Sequence, residues 1–431
     1  MKRARPSLLA LPAIAMLVAG VAVPRADDVA PAQPAPAAAA GPVALVVPAR
    51  GPAAGAPREV LSATGAAPPV VLGEPRLDPA LGRYVAPLRG RRAILTLDPK
   101  LQARLERSLE GYRVPWGATV LLEPATGRVL ALAEHSQVEP GRHGLALSAL
   151  APAASVFKIV TAAALLEKGA SADGEVCFHG GKRRLQPVLL RDDPRRDRRC
   201  LSLASAFGHS ANVVFAKLAD RDLDPATLRA TAERFLFNVA IPFARPLEVS
   251  SAEVPADPFD AANTAAGFGS VKLTPLHAAL LAAIVANGGV FVPPVLVEQV
   301  DGAPLPEPDA SRRVVDEEVA ARLGAMMRET VAAGTARRVF RRVASSLRGV
   351  QVAGKTGSLA DAKPFRDYSW FVGYAPADNP VVAVATVVVN DRLWHARAPT
   401  VAKEALEAYF AAHAVGREGV GGGAVRTAAV R

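Results

Sequence analysis

Along this chain, apolar residues recur every three to four positions in some stretches and every second position in others. Leu101, Leu105 and Leu109 fall one turn apart between residues 100 and 112, which predicts an amphipathic helix. It follows a short predicted strand, Ile94-Leu95-Thr96-Leu97, that ends at the turn Asp98-Pro99. Residues 119–122 and 129–132 flank Pro124-Ala125-Thr126-Gly127 and read as a hairpin. A second hairpin is predicted from residues 370–374 and 381–389 around the turn 375–380, preceded by the β-like Val350-Gln351-Val352. The middle is different. Stretches 159–168, 201–207, 213–219, 225–235 and 275–287 are rich in Ala and Leu at helical spacing, with Gly, Asp and Pro at their ends. Strands at both ends with helices between them predict an α+β fold, in which the two ends join in one antiparallel sheet and a helical portion is inserted.

At 431 residues the chain has room for a large core, and 50% hydrophobic against 21% charged residues excludes a polar disordered protein as the whole answer. Two Cys exclude a disulfide scaffold and a four-thiolate zinc site. The front of the chain reads Met1-Lys2-Arg3-Ala4-Arg5 followed by an apolar run over residues 8–23. Residues 1–26 are therefore expected to be an export signal or a retained membrane anchor, with the bulk of the chain in the periplasm or cell envelope. That context discounts nucleic acid as the partner implied by the net charge of +11. Ala, Pro and Gly dominate residues 30–57, so 27–92 is taken as a linker and a segment without assigned elements, 93–413 as the folded domain and 414–431 as a disordered tail. In an oxidising compartment Cys177 and Cys200 either pair, closing a loop worth about 3 kcal/mol, or stand as two thiols.

Lys is scarce among the 51 basic residues, so a position that keeps it is a candidate for chemistry that Arg cannot perform, deprotonation above all. Lys158 stands three residues after Ser155 at the head of a predicted helix, on the same face. A desolvated Lys accepts a serine proton, although Ser-x-x-Lys alone is also an ordinary solvated helix face. Two more groups follow in order, Ser210-Ala211-Asn212 and Lys355-Thr356-Gly357-Ser358. Ser210 and Asn212, taken alone, also read as helix caps, and the Arg-rich stretch 191–199 as a solvated loop. Residues 349–356 satisfy G-x-x-x-x-G-K-[ST], but a phosphate loop opens a helix, whereas this stretch is strand-like. Gly208-His209-Ser210-Ala211-Asn212 falls one Gly short of a nucleophile elbow, and the seven His lack metal-ligand spacing, so neither metal nor cofactor is expected.

Ser-x-x-Lys, Ser-x-Asn and Lys-Thr-Gly in this order resemble the penicillin-binding protein and serine β-lactamase superfamily. Leu95-Thr96-Leu97-Asp98, Gly267, Thr274-Pro275-Leu276, Ala286-Asn287-Gly288-Gly289, Gly334-Thr335-Ala336 and Trp370-Phe371-Val372-Gly373-Tyr374 extend the likeness to transpeptidase domains. The resemblance implies an antiparallel sheet of about five strands flanked by helices, with an inserted all-helical subdomain. It implies Ser155 as the acylated nucleophile, Lys158 as its base, and Ser210 and Asn212 facing the cleft to relay protons or bind substrate amide. Lys355 would hold the Lys158 pKa down and attract a terminal carboxylate, to which Thr356 and Ser358 offer hydroxyls. The N–H groups of Ser155 and Ser358 would form an oxyanion hole, and Gly357 would belong to the substrate-binding set by letting the strand edge approach the substrate closely. The implied activity is a serine D,D-transpeptidase acting on peptidoglycan stem peptides and binding β-lactams; a D,D-carboxypeptidase, a β-lactamase or a noncatalytic sensor are the alternatives. Many such domains carry Pro-Gly before the nucleophile, where this chain has Ala153-Ala154. Glu233 and Asn238 are one residue too far apart for the deacylating pair of class A β-lactamases.

Overall fold

A computed structural model describes residues 72–181, 184–306 and 310–414; the expected export segment, most of the linker and nearly all of the tail lie outside the described residues. The central sheet has five antiparallel strands in the spatial order Ala353–Ala362, Phe365–Ala375, Val382–Asn390, Trp116–Leu122, Val129–Ser136. N- and C-terminal segments therefore meet in one sheet, through the register Ala385 opposite Val120. Its central strand is apolar at almost every position because both faces are covered. Strand alternation sends Ala383, Ala385, Val387 and Val389 into one core, and Val382, Val384 and Val388 into another. The first core is closed by the helix Pro275–Ala286, buried at every residue but Ala286, the second by the helices Pro99–Gly111 and Ala398–Ala414. A buried Thr119–Thr386 hydroxyl pair, 3.0 Å apart, satisfies the two polar groups at the sheet centre.

Between these strands runs a mainly helical insertion that includes Lys158–Glu167, Leu203–Gly208, Asn212–Asp222, Pro225–Arg234 and Pro258–Ala265. The expectation of an all-helical insertion is corrected in two places. Ala151–Pro152, Val271–Leu273 and Ser251–Ala252 form a small sheet, and Glu175–Phe178 pairs with Arg199–Ser202 in a hairpin. These strands are two to four residues long, too short for a period to reveal them even where Val271-Lys272-Leu273 alternates. Cys177 and Cys200 face each other across that hairpin and are joined in a disulfide.

The folded region begins well before residue 93. Arg76–Asp78, Arg83–Leu88 and Arg91–Leu95 pair in sequence and are joined by Val297–Val300 and Ala303–Pro304 in a second five-stranded sheet. Its first three strands carry Arg76, Arg83, Arg91 and Arg92 and are held by distant partners, Arg83 with Glu298 and Arg91 with Asp301. Neither feature gives a local pattern to read. The strand expected from residue 350 starts only at Ala353, which puts Lys355 and Thr356 inside a strand, and the Gly349–Thr356 match opens no helix.

Candidate active site

Ser155 sits in the tight turn Ala154–Phe157, which runs directly into the helix starting at Lys158. Residues three apart in such a turn eclipse each other, which brings Lys158 Nζ to 2.8 Å from Ser155 Oγ. Two hydrogen bonds pin the turn, and its backbone is strained. Trp370 Nε1 donates to Pro152 O at 2.9 Å, Ala153 N donates to Val271 O at 2.8 Å, and Ala154 adopts φ +48°. That left-handed conformation costs a residue with a Cβ about 1–2 kcal/mol, a strain stored next to the reacting hydroxyl. Gly267, itself at φ +91°, makes room for it, since a Cβ there would lie 2.6 Å from Ala154 O.

The first helix-to-helix junction of the insertion supplies the second group. Ser210, at φ +56°, turns the chain between Leu203–Gly208 and Asn212–Asp222. The cap of the latter helix is Ala211, with no side-chain hydrogen bond, so Ser210 and Asn212 do not cap it. Both side chains point at lysines: Lys158 Nζ donates to Asn212 Oδ1 at 2.7 Å and Lys355 Nζ to Ser210 Oγ at 3.0 Å. Lys355 reaches the site from the edge strand of the sheet and also donates to Thr356 O at 2.9 Å.

Lys158 and Lys355 are both 0% exposed. Burial, and secondarily the charge of Lys355, lowers the Lys158 pKa well below 10.5; burial alone brings Lys355 down to about 7. The ring of Phe215 lies 5.5 Å from Lys158 Nζ and that of Phe207 5.4 Å from Lys355 Nζ. Such ring faces favour a cation by at most about 2 kcal/mol. The drop of Lys355 from 10.5 to about 7 corresponds to roughly 5 kcal/mol against its cation, so desolvation wins. A neutral Lys158 has two N–H donors and one lone pair. Asn212 Oδ1 and the Ala266 carbonyl are pure acceptors and take the two donors. The lone pair is left facing the Ser155 hydroxyl.

All eight sequence-predicted residues lie on the turn, the junction or the edge strand just described. The close approach allowed by Gly357 is made by the protein itself: a Cβ there would sit 3.1 Å from Val156 Cγ2 and 3.2 Å from Ala153 O, so the edge strand rests on the nucleophile turn. Ser358 is exposed on that strand and pairs in register with Ser369. Sequence reasoning misses four contributors: Phe207 and Phe215, whose apolar side chains read as ordinary core, the Ala266 carbonyl, and Thr335. Thr335 Oγ1 lies 2.6 Å from Thr356 Oγ1, and its backbone N–H donates to Gly208 O at 3.0 Å, linking junction to edge strand. The Gly334-Thr335-Ala336 landmark is the signal that points to this position. Glu233 is exposed at a helix end, and Asn238 exchanges two 3.0 Å hydrogen bonds with the Ala252 backbone.

A serine hydroxyl against a buried lysine whose pKa is lowered well below 10.5, with a second lysine on the edge of a five-stranded antiparallel sheet, defines a serine acyl-transfer enzyme of the lysine-base type. The comparison with known sequences is more specific. Residues 117–409 match the penicillin binding protein transpeptidase domain, and the chain belongs to that family. It is 32% identical over 351 residues to the peptidoglycan D,D-transpeptidase PbpA of Mycobacterium tuberculosis, covering 71% of this chain and 69% of that one. The crystal structure of PBPA from M. tuberculosis superimposes with a TM-score of 0.58 at 27% identity, covering 74% of this chain and 80% of that chain. PBP2 of Pseudomonas aeruginosa gives 0.64 at 25% identity, over 79% of this chain and 88% of that chain.

Proposed function

We propose that this chain is a serine D,D-transpeptidase that cross-links peptidoglycan stem peptides outside the cytoplasm, through an acyl-enzyme on Ser155, and that β-lactams acylate the same residue. The observation that carries this reading is Lys158 Nζ held 2.8 Å from Ser155 Oγ, with Asn212 Oδ1 and the Ala266 carbonyl placed to take the two N–H donors of its neutral form. Support also comes from the M. tuberculosis PBPA structure described as an imipenem acyl-enzyme complex, with a TM-score of 0.59 at 27% identity.

In the first half-reaction the Ser155 proton passes to Lys158 Nζ as Oγ attacks the carbonyl of the penultimate residue of the donor stem. The oxyanion takes hydrogen bonds from the N–H groups of Ser155 and Ser358, each worth about 3 kcal/mol of barrier. The C–N bond breaks and the lysine proton leaves on the departing amine, with Ser210 as relay. An acceptor amine then attacks the ester and gives its proton to Lys158, which hands it on to the departing Ser155 Oγ as the C–O bond breaks, restoring the free hydroxyl and the neutral amine. Lys355 in its protonated form, with Thr356 and Ser358, holds the terminal carboxylate, and Asn212 orients the base and the substrate amide. Residues 1–26 serve as export signal or anchor in the inner membrane, and 27–71 as a tether.

The exposed Glu233 and the tied-down Asn238 support transfer to an amine over the rapid hydrolysis of a β-lactamase. Labelled penicillin tests the proposal. Wild type is expected to carry one stable adduct and Ser155→Ala none, while a pentapeptide substrate with an added amine acceptor yields the transfer product. An adduct surviving Ser155→Ala contradicts it, and hydrolysis without transfer reassigns the enzyme as a carboxypeptidase.

A further inference from the structure

The segment 334–350, which begins at the threshold of the cleft, contains five Arg and neither Asp nor Glu. Thr335 touches Thr356 in the site, and chain connectivity places Arg337 Cα within about 8 Å of Thr335 Cα. From there the chain wraps around the edge strand. The Phe340 ring packs on Phe371, 5.2 Å between centroids, and Phe371 is the cross-strand partner of Thr356. Leu347 is buried and Ser346 Oγ donates to Glu407 O at 2.9 Å, so the segment is held in place by its apolar and hydroxyl side chains.

Its arginines point the other way. Arg337, Arg338, Arg341, Arg342 and Arg348 are all exposed, and among the described residues none has a carboxylate partner. The carboxylates on the neighbouring helix Ala398–Ala414 are taken by other groups: Glu407 by the segment's own Ala344 N and by Lys403, Glu404 by Ser108 and Tyr112. Elsewhere on the surface, Arg83, Arg92 and Arg234 sit against Glu298, Asp78 and Glu167. The other Arg-rich stretch, 191–199, carries Asp192, Asp193 and Asp197 within it. In the short helix Arg337–Phe340 and its cap, Arg337 and Arg341 are like charges four apart, an arrangement that destabilises the free protein, and Arg338 and Arg342 add to the same charge. An unneutralised, rigidly backed strip that works against its own helix is a surface built for a polyanion.

We propose that Arg337, Arg338, Arg341, Arg342 and Arg348 form a docking strip for the stem-peptide carboxylates of the peptidoglycan strand entering the cleft. The choice of polyanion rests on the transpeptidase reading and on the contact between Thr335 and Thr356. The strip supplies long-range attraction and retention of a polymer, while the cleft reads the single peptide in reaction.

Sedimentation of the purified full chain with insoluble peptidoglycan stripped of attached polymers tests this directly. At low salt, R337Q/R338Q/R341Q/R342Q is expected to bind about tenfold or more weakly than wild type, from four exposed ion pairs lost together. The all-Lys counterpart is expected to bind as wild type, and the difference to vanish in about 0.5 M salt. Peptidoglycan with amidated carboxylates should bind both proteins equally weakly. Thermal midpoints of the variants report on folding. Unchanged binding by the Gln variant, loss in the all-Lys variant with its midpoint intact, or full binding to amidated peptidoglycan overturns the proposal. So does a strip-dependent preference for phosphatidylglycerol vesicles, which assigns the surface to a membrane. Sedimentation does not depend on acylation, so penicillin labelling of wild type separately reports whether the transpeptidase reading itself fails.

Discussion

Lys158→Met is expected to lower the rate of Ser155 acylation by penicillin by about a hundred- to ten-thousand-fold, the range that a positioned general base contributes. The methionine fills the volume between Phe215 and the turn and offers no lone pair of comparable basicity. Lys158→Arg sharpens the result. A guanidinium keeps the charge and the donors but does not deprotonate in a protein, so it should fail as well. If Lys158 acted only by electrostatic attraction, the arginine variant would retain most of the activity. Stopped-flow acylation of the two variants beside wild type gives the answer.

Lys355→Met is expected to act in two separable ways. Loss of a charge-assisted contact to the substrate carboxylate lowers acylation efficiency by about ten- to a hundredfold. Loss of the neighbouring positive charge also raises the Lys158 pKa, so the acid limb of the acylation profile moves to higher pH. A structural role alone would lower the profile without moving that limb. Stability changes too. Lys355 is neutral in the native state above about 7 but charged in the unfolded chain up to 10.5, so the native state binds fewer protons between these values. Native stability therefore rises with pH across that window, and removing Lys355 flattens the rise.

The chemistry was more legible than the architecture that holds it. Ser155, Lys158, Ser210, Asn212 and Lys355 stand in short patterns whose order survives any error in strand boundaries. Helices with a continuous apolar stripe, such as Pro99–Gly111 and Pro275–Ala286, were equally plain. Glu317–Ala332 was not, because Gly324 interrupts its stripe; the reason lies across the core, where a Cβ on that glycine would sit 2.7 Å from the Tyr374 hydroxyl. The sheet from Arg76 to Pro304 pairs strands some two hundred residues apart, and no local period encodes such a partner. Ala154 in a left-handed turn also runs against its propensity, and only the opposing Gly267 makes it intelligible. Sequence names the reacting groups, whereas burial, strain and cross-sheet contacts set their protonation and aim.

The proton state of one amine underlies all of this chemistry, and it can be observed without substrate. With ten lysines in the chain, labelling their Cε carbons and following the resonances by NMR against pH isolates Lys158 through its disappearance in Lys158→Met. The Lys158 resonance is expected to titrate well below 10.5 and to move upward in Lys355→Met. A resonance that stays at the ammonium position until about 10.5 would contradict this expectation, because Ser155 would then have no base within reach.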